Sequence, residues 1–167
     1  IGGAGTGDKV TATMSGKTAT TGALTLTDVE TLQLTTSGAN TLALAGVTGL
    51  KTLQVTDNKQ TITGFDLATT IIMGTDADAS ATSSEIDVTA TDATGTDDTL
   101  NVSINATIAP TTIIDATGIE NLAIKIGANA TDTNQTTTIN LTTFDGNAVT
   151  LASGALKAGA VITPGAV

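Results

Sequence analysis

The side chains that this chain lacks constrain its fold more than the side chains that it has. About half of its 167 residues are Thr, Ala or Gly, and His, Cys, Trp, Tyr and Arg are absent. Only Phe65 and Phe144 are aromatic, although 40% of the chain is hydrophobic. The core must therefore be built from aliphatic and small side chains. Because interiors are close-packed, that supply favours a thin, layered and repetitive core over a broad globular one.

Short segments in which aliphatic and polar residues alternate indicate β-strands along the whole chain. Thr, Val and Ile favour the pleated sheet, whereas Gly, Asn and Asp mark turns. Each segment has one apolar face, as a half-buried strand should. Successive strands in the first half begin roughly ten residues apart, which leaves no room for helices between them. The segments lie at 24–26, 32–34, 42–44, 53–55, 100–104, 122–124 and 139–141.

A rhythm of about 20 residues predicts how these strands stack. The pattern apolar-x-x-Leu-x-apolar occurs at 29–34 and again at 50–55, 21 residues later. Short strands that recur in this way are typical of a parallel β-solenoid, in which each coil stacks on the next. We therefore predict an all-β chain built as a parallel β-solenoid, with Leu, Ile and Val inside and Thr outside. The alternative is a pair of tandem immunoglobulin-like β-sandwiches, whose cores usually contain large aromatic residues.

Internal repetition divides the chain into two related units. A shift of 90 positions places 29–34 over 119–124, and the apolar positions agree. Glu30 and Glu120 fall at equivalent places, each just before an inward Leu, so we expect both glutamates to serve the repeat. One continuous solenoid is an alternative to two units. The predicted units and the joining loop between them lie at 1–75, 76–89 and 90–167.

The net charge of −10, from 16 acidic residues and six lysines, limits the partners. An acidic surface repels nucleic acid and anionic lipid headgroups, so we expect neither nucleic-acid binding nor membrane insertion. The same surface tolerates divalent cations. Without cysteine, disulfides and thiolate zinc sites are excluded. The chain begins with Ile and carries no signal peptide, so we interpret it as a piece of a larger protein.

Catalysis would have to rely on carboxylates or lysine. A glycosidase needs two acids at a fixed separation across a sugar-binding cleft. Such clefts usually also supply aromatic platforms, and this chain has almost no aromatic residues. We therefore predict that the chain is not an enzyme.

Two glycine-rich segments, 2–8 and 95–100, are candidate calcium sites. They resemble single, imperfect turns of the RTX calcium repeat, in which glycines allow sharp turns and an Asp carboxylate binds calcium just before an apolar residue. Asp8 and Asp98 hold that place, and Asp97 lies beside the second. The alternative interpretation is a solvated turn before a strand.

Asp76 and Asp78 are a further candidate for calcium, because they lie one residue apart in an acidic loop. Full coordination of calcium needs six or more oxygens, so a plain acidic loop is the alternative. Calcium is the one cofactor that the sequence suggests.

The Gly-x-x-Asp-x-apolar openings and the phrases at 26–32 and 117–122 belong to a Thr-rich, acidic, Cys-free chain. In these features the chain resembles bacterial surface-layer (S-layer) proteins and the related large adhesins of the RTX group, which are exported by type I secretion. The resemblance implies a secreted protein at the cell surface, a solenoid or sandwich architecture, and calcium-dependent assembly.

The expected function is that of a structural segment that self-assembles into a protective extracellular lattice. Its partners would be copies of itself, and cell-surface polysaccharide through other domains. The alternative is a repeat module of a secreted adhesin that binds a host or polymer ligand.

Overall fold

A computed structural model describes most residues of the chain. In it the chain forms a stack of short strands. The described ranges are 5–15, 19–20, 24–37, 40–55, 59–73, 83–90, 95–104, 111–126, 138–142, 144, 146–153 and 161–163. They contain no helix that is long and apolar enough to cross a membrane. The strands are β1 (Lys9–Ser15), β2 (Ala19–Thr20), β3 (Thr25–Leu26), β4 (Thr31–Ser37), β5 (Asn40–Ala43), β6 (Gly46–Val47), β7 (Thr52–Val55), β8 (Lys59–Phe65), β9 (Thr70–Met73), β10 (Ser83–Ala90), β11 (Thr99–Ile104), β12 (Thr111–Thr117), β13 (Asn121–Ile126), β14 (Thr138–Asn140), β15 (Ala148–Ser153) and β16 (Val161–Thr163).

Most of these strands belong to one of two parallel sheets, each with seven strands. Sheet A has the order β1-β4-β7-β9-β11-β13-β15, and sheet B has the order β16-β14-β12-β10-β8-β5-β2. The strands β3 and β6 form a short third sheet. Every described pairing is parallel. The chain alternates between sheets A and B, so it forms seven stacked coils.

The predicted parallel β-solenoid is therefore confirmed. The alternative of tandem immunoglobulin-like sandwiches is wrong, because strands pair antiparallel in that fold. The physical reason lies in the core: one aliphatic side chain from each coil stacks on the next, and this packing needs few aromatic residues.

One column of inward side chains runs through all seven strands of sheet A. Leu32 is the partner of Leu53, at the 21-residue spacing that the sequence predicts. The five middle members of the column are at most 2% exposed. Burying each such side chain contributes about 1.5–3 kcal/mol. From coil to coil the column consists of Val10, Leu32, Leu53, Ile71, Val102, Ile124 and Leu151.

Phe65 enters the core through a β-bulge. Thr63 pairs with Thr89 and Phe65 pairs with Ala90, so Gly64 is an extra residue in β8. Gly64 has φ +67°, which glycine adopts at little steric cost. The extra residue reverses the inside–outside alternation of the strand. Phe65 therefore points inward and is 1% exposed.

The segment predicted as a joining loop, 76–89, contains a strand. β10 begins at Ser83 and pairs with β8 on one side and β12 on the other. A loop can therefore include at most 76–82, which lies outside the described residues. In β10 only Ile86 and Val88 are large inward residues, yet both are fully buried. β9 also pairs with β11, so both sheets continue across the predicted boundary.

Candidate functional site

A glutamate carboxylate holds the backbone in place at the turn before β4. Glu30 Oε2 accepts hydrogen bonds from the N–H groups of Gly7, at 3.2 Å, and Asp8, at 2.8 Å, in the preceding coil. The N–H of Thr31 donates to the carbonyl of Asp8, at 3.0 Å. The side chain and the backbone at this turn thus bind the glycine-rich turn of the coil before it.

Glu120 repeats this arrangement before β13. Its Oε2 accepts a hydrogen bond from the N–H of Asp98, at 2.9 Å. The N–H of Asn121 donates to the carbonyl of Asp98, also at 2.9 Å. Asp98 and Glu120 lie 90 positions after Asp8 and Glu30. We call these two arrangements the glutamate corners.

The carbonyl groups of the same glutamates bind the following coil. The carbonyl of Glu30 accepts hydrogen bonds from the N–H groups of Lys51 and Thr52, at 3.0 and 2.9 Å. The carbonyl of Glu120 accepts two in the same way, from Asn147 at 2.6 Å and Ala148 at 3.1 Å. Each glutamate therefore connects three successive coils.

Local sequence explains why the chain turns at these corners. Two positions before each glutamate lies a residue with positive φ: Asp28, at 55°, and Gly118, at 71°. Asp and Gly are among the residues that tolerate this left-handed conformation. The residue between is a buried aliphatic anchor, Val29 or Ile119. The turn and its buried anchor together orient the glutamate carboxylate toward the preceding coil.

Asp97 and Asp98, which are predicted to bind calcium, accept hydrogen bonds at the turn before β11. The Asp98 carboxylate accepts a hydrogen bond from the N–H of Gly95, at 3.2 Å. The Asp97 carboxylate accepts one from the side-chain amide of Asn121, at 2.9 Å. These bonds connect the turn before β11 to its own glycine and to the first residue of β13.

The structure does not bring the predicted calcium residues into one cluster. Asp8 precedes the first strand of sheet A, whereas Asp97 and Asp98 precede the fifth. Asp76 and Asp78 lie outside the described residues. Within the described ranges, no group of three or more Asp, Glu, His or Cys residues could hold a metal ion. Calcium binding stays a prediction.

The sequence places Glu30 and Glu120 at equivalent positions, which indicates that they act alike. It does not identify the groups that they bind, because those groups lie 22 or 23 residues earlier in the chain. Only the register between coils brings them together.

The outward side of sheet A carries a groove of about 400 Å³. The groove crosses β9, β11, β13 and β15, and its lining is mostly apolar, together with some hydroxyl, amide and ammonium groups. Its outward residues include Thr70, Ile72, Asn101, Ser103, Lys125 and Thr150.

The outward side of sheet B is acidic in its middle. Glu85 and Asp87 lie on β10 and Asp115 on β12, all partly exposed. Asp87 and Asp115 are partners in neighbouring strands. The two sheets thus present different chemistry to their surroundings.

No protein-family model, curated protein or solved structure matches this chain. The function is therefore inferred from the contacts and charges of its own residues.

Proposed function

We propose that this chain is a structural segment of a cell-surface layer, in which copies of it associate into a protective extracellular lattice. The observation that supports this proposal best is the continuous stack: two sheets of seven parallel strands enclose one aliphatic core. Bending such a stack strains the hydrogen bonds between paired strands. A stiff unit of this kind suits a wall that works by its shape.

The outward side chains suit a unit that stays dissolved until it assembles. On the described strands of sheet A they are mainly Thr, Gln, Asn and Ser. The net charge of −10 makes separate copies repel one another, and cations screen that repulsion. Calcium bound at Asp8, Asp97, Asp98, Asp76 or Asp78 would bridge copies as well as screen them. Calcium-dependent assembly is therefore part of the proposal.

Further parts of the proposal follow from the resemblance to surface-layer proteins. They are export by type I secretion, an extracellular location, and attachment to cell-surface polysaccharide through other domains. We also propose that the chain is not an enzyme, since both corner glutamates use their carboxylates to bind backbone N–H groups.

Assembly of the purified chain in the presence and absence of calcium tests the proposal. Negative-stain electron microscopy should show ordered sheets with calcium and none after chelation, and sedimentation velocity should show the matching loss of monomer. Sodium chloride at the same ionic strength is the control for simple screening, and magnesium is the control for ion identity. A chain that stays monomeric with and without calcium at high concentration would contradict the proposal.

The groove on sheet A supports a second candidate, an adhesin module that binds a host or polymer ligand. Its hydroxyl and amide groups could form hydrogen bonds with a polar polymer. An adhesin module should remain monomeric with calcium and bind soluble polysaccharides in titration calorimetry. A lattice protein should self-associate and show no such binding.

A further inference from the structure

The strands of sheet A contain no carboxylate. Their 40 residues include no Asp and no Glu. At the frequency of the whole chain, 16 acidic residues in 167, about four would be expected. The charged residues of these strands are Lys9 and Lys125, and both are exposed. These strands therefore add no negative charge to the face, although the chain as a whole carries −10.

The face also contains a groove beside Lys125. The groove of about 400 Å³ runs next to this lysine and contains the partly exposed side chain of Ile72. A groove with an apolar wall and an ammonium group at its side can receive carboxylates and the aliphatic residues next to them.

The described outward side of sheet B offers such a surface. Glu85 and Asp87 lie on β10, and Asp115 lies on the adjacent strand β12. Ile113 of β12 is the partner of Glu85. Lys59 is the partner of Glu85 on the other side. At these paired backbone positions, three acidic residues stand against one lysine. We call these three acidic residues the acidic patch.

The two faces lie on opposite sides of the same core, because inward residues of both sheets form one hydrophobic cluster. A contact between unlike and opposite faces does not close on itself in a dimer. It repeats from copy to copy and generates an open row when the rotation between copies does not close a ring. A surface array needs contacts of this kind.

We infer that the outward face of sheet A of one copy packs against the acidic patch on sheet B of the next copy. This inference rests on the proposed lattice function and names the surfaces that meet. Seven strands at the usual spacing and length cover roughly 30 by 20 Å, or roughly 600 Å² per partner. Stable interfaces bury about 800 Å² per partner, so a single contact is weak and repetition makes the row stable.

Charge reversal on each face tests this pairing. Lys125→Glu should lower the association constant of the chain in calcium buffer by about tenfold or more, because like charges would face each other. Lys51→Glu is the matched control: this lysine is also exposed, lies outside the strands of sheet A, and gives the same change in net charge. Association of the control variant should stay within about twofold of wild type. Sedimentation velocity measures both constants, and circular dichroism verifies the fold.

The reciprocal change tests the partner face. Asp87→Lys should weaken self-association as Lys125→Glu does, and a mixture of the two variants should associate more tightly than either alone. If wild type forms sheets while Lys125→Glu and Lys51→Glu assemble equally well, the pairing of faces is wrong and the lattice function stands. If the wild-type chain is monomeric in every condition, both proposals fail.

Discussion

The carboxylate of Glu120 shows at the scale of one residue how neighbouring coils are held together. It accepts a hydrogen bond from the partly buried N–H of Asp98, and Glu30 does the same for Asp8, 90 residues earlier. Hydrogen bonds to a charged acceptor are about twice as strong as neutral ones. A buried N–H group that has no acceptor in the folded state lowers the free energy of unfolding by about 1–3 kcal/mol.

Replacing Glu120 with Ala should therefore lower the free energy of unfolding by about 1–2 kcal/mol. Replacing it with Gln should cost about half as much, because the amide oxygen still accepts a hydrogen bond but carries no charge. Guanidinium titrations followed by circular dichroism measure both values. If the Ala variant is as stable as the wild type, the glutamate corner does not stabilise the stack.

Gly64 has a comparable role at the scale of a strand, because the bulge in β8 depends on it. A Cβ at this position would lie 2.7 Å from the backbone nitrogen of Ala45, and the φ of +67° is unfavourable for other residues. The bulge turns Phe65 into the core, so a change here reaches the packing of the neighbouring strands.

Gly64→Ala should destabilise the chain by about 2–3 kcal/mol, from backbone strain and from overpacking against Ala45. Gly7→Ala is the matched control, since Gly7 also has a positive φ, of 101°, but no atom within 4 Å of the added Cβ. The control should cost only about 1 kcal/mol, from the backbone alone. Thermal unfolding of the two variants compares them, and equal losses would show that Gly64 has no packing role.

Strands in which single aliphatic residues alternate with polar ones were predictable from sequence. β9 and β12, in which two Ile residues are adjacent, and β10 were not. β4 and β7 follow the apolar-x-x-Leu-x-apolar pattern, and their register has the predicted spacing of 21 residues. β10 contains Glu85, Asp87 and only two large inward residues, so it resembles the polar stretch before it. Its place in the sheet comes from the strands on either side, which local alternation does not reveal.

At the scale of the whole molecule, sequence periodicity predicts the solenoid because each coil must bury aliphatic residues at equivalent positions. The difference between the two outward faces is not periodic. It arises from which residues the register brings side by side, as with Asp87 and Asp115, which lie 28 positions apart. The 90-position repeat places Asp8 and Asp98 at equivalent corners, but it does not bring them together. The number of residues in each coil determines which side chains become neighbours, and this number varies along the chain.

Cysteine pairing across coils tests the stacking most directly, because the chain has no cysteine of its own. Gln33 and Gln54 are partners in adjacent strands of sheet A. Their Cα atoms should lie about 4.8 Å apart, a separation that a disulfide can bridge. Ser103 lies in the same column three coils from Gln33, or roughly 14 Å away.

Mild oxidation at low concentration, followed by mass spectrometry, should give an intramolecular disulfide in the Gln33→Cys, Gln54→Cys variant. The Gln33→Cys, Ser103→Cys variant should keep both thiols free within the monomer. A first variant that stays reduced, or a second that closes readily, would contradict the stacked coils on which the proposed lattice depends.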